Sequence, residues 1–394
     1  MPDFIIDLAT RLDQLRASGL YRHLRRIDSP QAPSIVSGER TLLNFSSNDY
    51  LGLANHSDLK QAARTAIDKY GSGAGSSRLV CGSITPHGEL EAALAQFKGT
   101  EAALSFSTGY AAALGTIGAL LGTGDIVILD KLSHACLVDA ARLSGATVRV
   151  FAHNDLEDLE RRLVWAQRMV SSDAKIRRVL IVTESVFSMD GDQAPLAGMV
   201  DLKQRFGAWL MVDEAHATGL YGHNRRGLAE ALGVSGQIEI QVGTLGKALG
   251  SSGGYIAGSR LLIDFLINKA RSFIFSTAPA PAAAAAATAG VRLAQSPVGA
   301  QLLLQLWARV TELRAALDLD FPPLPGAIIP IVLGDEIRAV ELAAKLSEKG
   351  FLIPAIRYPT VARGKARLRV TLSAAHAAEN VAKLAELLTE LKCF

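Results

Sequence analysis

The chain has 394 residues and 41 basic against 38 acidic side chains, so a net charge of +3 leaves no basic surface of the kind nucleic-acid binding needs. Apolar residues make up 49% and charged residues 20%, a globular balance that excludes a disordered chain and allows more than one structural unit. Cys81, Cys136 and Cys393 are far apart with no CxxC, which excludes a disulfide framework or structural zinc and fits a reducing cytoplasm.

The opening MPDFIIDLATRLDQLRASGLYRHLRR reads as an amphipathic helix with acids in it, not as a cleavable leader, and it starts an N-terminal helical arm over 1–45. The glycine cluster YGSGAGSSR (Tyr70 to Arg78) misses GxGxxG, because the last position counted from Gly71 is Ser76. It is either a turn or a substrate-contacting loop. SFSTGYAAALG (Ser105 to Gly115) offers backbone amides at a helix start, which suit a phosphate. The most apolar stretch, Ala111 to Leu121, is too short and glycine-interrupted to cross a bilayer, so no membrane partner is expected.

Short β-branched runs then recur: DIVILD (Asp125 to Asp130), TVRVF (Thr147 to Phe151), RRVLIVTE (Arg177 to Glu184), AWLMVDE (Ala208 to Glu214) and IEIQVG (Ile238 to Gly243). GYIAG (Gly254 to Gly258) is a further strand-like run. Helix-length patterns lie between several of them, with start signals at Ser133 and at Asn154–Asp155. This alternation predicts an α/β fold with a mostly parallel sheet covered on both faces, in a large domain over 46–289. The alanine tract PAPAAAAAATAG (Pro279 to Gly290) predicts a closely packed helix leading into a smaller α/β C-terminal domain over 290–394.

Ligands of such sheets gather beyond the carboxyl ends of the strands, here 130–134, 184–188, 213–216 and 243–247. VDEAH (Val212 to His216) contains the DEAH string of helicases. The nearby GTLGKA (Gly243 to Ala248) has the wrong glycine spacing for a phosphate loop, lacks the hydroxyl at Ala248, and follows the string instead of preceding it. A nucleic-acid motor is excluded. Asp213 and His216 are too few ligands for a metal, and no HExxH exists, so no metal is expected.

A carboxylate, an imidazole and a lysine at strand ends suit one common ligand. Asp213 would favour a protonated aromatic ring nitrogen, raising its pKa by roughly one to three units. His216, one helical turn along, would bond a ring oxygen. Lys247, in the small-residue turn TLGKALGSSGG (Thr244 to Gly254), would form a Schiff base. With a phosphate at the 105–115 helix start, these describe a pyridoxal-phosphate site. Taken singly, each has an ordinary alternative: Asp213 a cap or salt-bridge partner, His216 a satisfied surface residue, Lys247 a solvated side chain, and His134 an early helix residue.

NFSSNDYLGL (Asn44 to Leu53), GAGSSRLVCG (Gly73 to Gly82), ESVFSMDGD (Glu184 to Asp192), VDEAHATGLYG (Val212 to Gly222) and TLGKALGSSGG together resemble the α-oxoamine synthases. The likeness runs in order from about residue 40 to the C-terminus. AIRYPTVARGKARLRVTLSAAH (Ala355 to His376), FAHND (Phe151 to Asp155) and FSTAPAP (Phe275 to Pro281) are most similar to the biotin-pathway members. The resemblance implies a fold-type I pyridoxal-phosphate enzyme that condenses L-alanine with a pimeloyl thioester, on CoA or an acyl carrier protein, with loss of CO2. It implies that Lys247 holds the cofactor and takes the Cα proton, Asp213 pairs with the ring nitrogen, His216 and Ser188 bond the ring oxygen, and His134 stacks on the ring. Gly109, Tyr110 and Thr244 would bind phosphate, with Ser276 and Thr277 from the neighbouring subunit of a homodimer. Arg357 with Asn48 would hold the substrate carboxylate, and Arg22 and Arg25 would meet an acyl carboxylate or the thioester carrier, unless with Arg26 they form a solvated helix face. Tyr358 and Ala362 stand where those members commonly have proline, and Gly364–Lys365 resembles the glycine C-acetyltransferases. The alternatives are therefore glycine with acetyl-CoA or succinyl-CoA, and a non-enzymatic pseudo-enzyme subunit, which would be expected to lose Lys247.

Overall fold

The protein is described by a computed structural model over residues 3–172, 178–320 and 322–393. It forms two compact units, Asn48–Trp307 and, together, Met1–Ser47 and Ala308–Phe394. Strands are numbered along the chain: β1 (Ser34–Ser37) and β2 (Arg40–Asn44) belong to the smaller unit. The larger unit holds β3 (Ala102–Phe106), β4 (Ile126–Asp130), β5 (Thr147–Phe151), β6 (Val179–Glu184), β7 (Trp209–Asp213), β8 (Ile240–Thr244) and β9 (Gly254–Gly258). The chain ends with β10 (Ile328–Gly334), β11 (Phe351–Leu352), β12 (Ala355–Ile356) and β13 (Ala366–Thr371) of the smaller unit.

The seven strands of the larger unit form one sheet in the order β3-β9-β8-β7-β6-β4-β5. Only β9 runs against the others. The continuous apolar runs are explained by burial on both faces. Val127, Leu129, Leu180, Val182, Met211 and Val242 join a core with Ala112, Ala113 and Ile117 of helix Gly109–Leu120 and with Leu137 of helix Ala135–Leu143. The alternate residues Ile128, Ile181 and Leu210 are equally buried on the other side. Full burial of each such side chain is worth about 1.5–3 kcal/mol, so the alternation of β-strand and helix is enforced by packing. The strand β3 was not foreseen from sequence. Its five residues precede the helix that the sequence does announce, and the short run AALSF carries no period of its own.

The domain boundaries differ from the expected ones. Residues 1–45 do not stand alone as an arm, because β2 pairs in parallel with β11, Leu43 opposite Phe351. The second boundary moves from 290 into helix Pro297–Ala316. Helix Pro281–Gln295 stays with the larger unit, packed on helices Ser57–Tyr70 and Thr85–Lys98. A Cβ on its Gly290 would lie 2.1 Å from the Leu249 carbonyl oxygen, so only glycine permits that approach. The N-terminal helix is also shorter than expected. It begins at Phe4, where the Asp3 carboxylate caps the amides of Ile5 and Ile6, and ends at Ala17, because Gly19 turns left-handed at φ +67°.

In the smaller unit, His376 ties β2 to the segment after β13. Its Nδ1 accepts from the Ser373 amide at 3.0 Å, its Nε2–H donates to the Asn44 carbonyl at 3.0 Å, and the ring stacks on Phe45 at 4.2 Å. Burial lowers its pKa to about 4, the ring being held in a neutral tautomer. The folded state then binds fewer protons than the unfolded chain between pH 6.5 and 4, so this stability is present above pH 6.5 and lost as the pH falls. A fall from 6.5 to about 4 corresponds to about 3 kcal/mol. In urea unfolding followed from pH 7.5 to 4.5, His376→Phe is expected to be less stable at pH 7.5 and to show a flatter decline on acidification; parallel declines in both proteins would refute it.

Candidate active site

Lys247 lies on the connection from β8 to β9, a loop closed on its own backbone. Leu245 N donates to Gly253 O at 2.9 Å, Ser251 N to Leu245 O at 2.8 Å, and Gly250 N to Lys247 O at 2.9 Å. Thr244 Oγ1 donates to Gly253 O at 3.1 Å and accepts from the Gly246 amide at 3.2 Å. The small residues thus make a rigid arch that holds one long side chain. Its half-buried Nζ sits 2.8 Å from Nε2 of His216.

His216 is buried, and its Nδ1 lies 2.5 Å from the hydroxyl of Tyr50. The expectation for His216 was contact with a ring oxygen; in the structure it lies between a phenol and an amine. Tyr50 was missed in the sequence, where nothing in NFSSNDYLGL distinguishes its ring from an ordinary core aromatic.

Asp213 ends β7, with Oδ1 accepting from the Ala215 amide at 2.8 Å. Burial pushes its carboxyl above the usual range, and Lys247, the Ala215 amide and His134 pull it back. Glu184, the last residue of β6, is its register partner across the sheet. Burial, and then the Asp213 charge, raise the Glu184 pKa as well. Glu184 Oε1 accepts from the His134 amide at 2.6 Å. Sequence reasoning named this strand end but gave Glu184 no role. His134 caps helix Ala135–Leu143, its Nδ1 accepting from the Cys136 amide at 3.2 Å. Surrounding protein lowers its pKa, with Asp213 raising and Lys247 lowering it, so the ring is neutral and belongs to the same electrostatic cluster.

Gly109 and Tyr110 open helix Gly109–Leu120, whose N-cap Thr108 accepts from the Ala111 amide at 2.9 Å. A Cβ built on Gly109 would be 4.0 Å from Thr244 Cβ, so the helix start and Thr244 form one cradle. Three of the expected phosphate residues therefore meet. Ser188 follows Phe187 in a tight hairpin closed by a Val186–Gln193 bridge. Ser276 and Thr277 lie on a segment bridged to Ser77, with the Ala278 amide donating to Ser76 O at 2.9 Å, which makes the glycine cluster a partner of that segment. Asn48 is half-buried in the larger unit. Arg22, Arg25 and Arg357 line a cavity of about 640 Å³ in the smaller unit, walled by Val340, Leu352 and Ile353. Arg357 donates to the Tyr21 carbonyl at 3.2 Å, while its buried Nε has no hydrogen-bond partner among the described residues.

An amine beside an imidazole, a buried carboxylate in need of a cation and a phosphate cradle at a helix start form a donor set that fits pyridoxal phosphate. The family model for class I and II aminotransferases matches residues 40–388, and the chain belongs to that family. A solved serine palmitoyltransferase from S. paucimobilis, in a form with pyridoxal phosphate and myriocin bound, is 30% identical with a TM-score of 0.91, covering 99% of this chain and 98% of its own. The particular likeness is to 8-amino-7-oxononanoate synthases: the protein of that name from Anaeromyxobacter sp. (strain K) is 47% identical over 389 residues, 98% of this chain and 96% of the relative. The solved one from Francisella tularensis is 27% identical with a TM-score of 0.75, covering 89% of this chain and 98% of its own. The α/β architecture expected from sequence is that of fold-type I enzymes.

The cradle depends on Gly254, where an added Cβ would lie 2.5 Å from both N and Cα of Gly109. Gly254→Ala is expected to displace the helix start, to lower stability by about 1–3 kcal/mol and to weaken cofactor retention, followed by visible absorbance during dialysis. Retention equal to the parent protein's would show that the cradle is not the phosphate site.

Proposed function

We infer that this chain condenses L-alanine with a pimeloyl thioester, releasing CO2 and the thiol to give 8-amino-7-oxononanoate, with pyridoxal phosphate as cofactor. The observation that carries this is Lys247 Nζ at 2.8 Å from His216, beside buried Asp213, in a chain similar to the named synthases along nearly its whole length.

Lys247 would hold the cofactor, Asp213 would pair with its ring nitrogen, and His134 would lie on its ring face. Ser188 and His216 would serve the ring oxygen, and Gly109, Tyr110 and Thr244 the phosphate. When bound, pyridoxal phosphate supplies a protonated, conjugated ring that accepts the electron pair left at an amino-acid Cα. Ionised Asp213 favours that protonated ring, and the cation in turn offsets the burial of the carboxylate.

Lys247 Nζ takes the Cα proton of alanine and returns it after CO2 has left. It must therefore pass between amine and ammonium without losing its orientation. As ammonium it donates to His216 Nε2, which requires Nδ1–H to donate to the Tyr50 oxygen. As amine it can accept from Nε2–H, with the Tyr50 hydroxyl donating to Nδ1. A phenol, which both donates and accepts, satisfies His216 in either state. Tyr50→Phe removes the phenol partner of the buried imidazole in both states. A kcat fall of about tenfold is expected, with a displaced alkaline limb of the kcat profile; an unchanged profile would remove Tyr50 from this role.

We assign the cavity of Arg22, Arg25 and Arg357 to anionic ends of the substrates and their carrier. Its volume suits a small organic ligand, its apolar wall suits a methylene chain, and the Arg357 Nε, without a partner among the described residues, suits a carboxylate. Asn48 is assigned to the amino-acid carboxylate. The thioester is carried on CoA or an acyl carrier protein. We further assign a homodimer in which Ser276 and Thr277 reach the neighbouring phosphate. The exposed Leu79, Val80 and Phe275, on adjoining segments, support such a contact. Three free thiols agree with a cytoplasmic protein.

Thiol and CO2 release should be measured with alanine, glycine or serine against pimeloyl-, acetyl- or succinyl-CoA. Alanine with pimeloyl-CoA is expected to be fastest, and Lys247→Ala to lose at least about 10³-fold in rate together with the visible cofactor absorbance. Fastest turnover with glycine and acetyl-CoA would overturn the substrate assignment.

A further inference from the structure

FAHND and MDGD are unused by the chemistry above, yet they meet in space. Asp130, at the end of β4, is fully buried, and its Oδ1 accepts from the Leu132 amide at 2.8 Å and from His153 Nδ1 at 2.9 Å. Its Oδ2 accepts from the Asn154 amide at 2.9 Å. On the other side of the ring, His153 Nε2 donates to Asp192 Oδ2 at 2.6 Å. Asn154 Nδ2 donates to the same oxygen at 2.9 Å and to the Gln193 carbonyl at 3.1 Å. The Phe187 ring meets the imidazole at 4.4 Å and 89°.

We propose that His153 is a positioning residue whose imidazolium clamps the loop presenting His134 to the hairpin presenting Ser188. The proposal rests on the roles assigned above to those two residues. Asp130 leads directly into 131–134, where the Ser133 amide donates back to its carbonyl at 3.1 Å. Asp192 belongs to the hairpin that contains Ser188: the Phe187 amide donates to Asp192 O at 3.0 Å and the Gly191 amide to Phe187 O at 2.8 Å. One ring therefore joins two segments that leave different strands of the sheet.

Both acceptors are carboxylates, so both ring nitrogens must carry protons, and the clamp needs the charged imidazole. Burial alone would lower the pKa of His153; the hydrogen bonds to Asp130 and Asp192, together with the two carboxylate charges, outweigh it and push it up to about 10. The charge-assisted bonds are stronger and shorter than neutral ones, and Asn154 reinforces one end, at a left-handed φ of +55° that asparagine tolerates well.

The test uses the full-length protein with its cofactor, carrying His153→Gln, Asp192→Asn or both. Asp192 has a side chain 40% exposed, so its substitution does not threaten folding. Backbone hydrogen exchange is followed by mass spectrometry alongside kcat and KM for alanine with pimeloyl-CoA. Each single variant is expected to exchange about tenfold faster in 131–137 and 186–193 and to leave 254–258 unchanged. kcat should fall about tenfold with KM little altered, and the double variant should be no worse than His153→Gln. Additive losses, unchanged exchange, or acceleration spread equally to 254–258 would overturn the clamp. If the parent protein turns over no alanine and pimeloyl-CoA while the local exchange pattern appears, the reaction assignment fails and the clamp stands.

Discussion

Two carboxylates, Glu184 and Asp213, stand in register at the ends of adjacent buried strands, and their surroundings are arranged to bear that charge. Strands with nearly continuous apolar faces provide no solvation of their own. Compensation must come from beyond the carboxyl ends: the His134 amide to Glu184, the Ala215 amide to Asp213, and the Lys247 charge reaching both. Under the proposed assignment, a cationic ring nitrogen beside Asp213 would complete the same compensation, and cofactor binding and folding of this sheet end would draw on one electrostatic requirement.

The next residue along the strand end faces a similar requirement and meets it internally. Glu214 is fully buried with Lys98, at 2.5 Å, and also accepts from the Ala229 amide at 2.9 Å; the Lys98 ammonium further donates to the Arg226 carbonyl at 2.5 Å. Such a pair contributes little net stability, since desolvation cancels much of the attraction, but removing one partner strands a buried charge. Its effect is to fix the backbone of the turn between Asp213 and His216.

Much of this was legible in the sequence, for identifiable reasons. Continuous apolar runs announced the parallel strands, and strand-end chemistry picked out Lys247, Asp213 and His216, while His134 took its role from the family resemblance. Tyr50 and Glu184 were not legible as functional, because a tyrosine 166 residues from its histidine and a strand-terminal glutamate look like ordinary core and cap residues. The domain boundaries failed for a related reason. A two-residue parallel pairing of β11 with β2 recruits the N-terminus to the distant C-terminal segment, and no local pattern encodes a partner some 300 residues away. FAHND was visible as a motif, but its purpose emerges only when Asp130 and Asp192 flank its histidine.

The single reversed strand has a geometric consequence. β9 lies between β3 and β8, so Phe106, Gly254 and Thr244 fall on one row across the sheet. The residue in the middle of that row sets how closely its two neighbours' loops can converge. A slip of β9 by one position would bring Tyr255 into this row and wedge the two loops apart. Alignment of β9 is thus a gauge for the width of the cradle between the start of helix Gly109–Leu120 and Thr244.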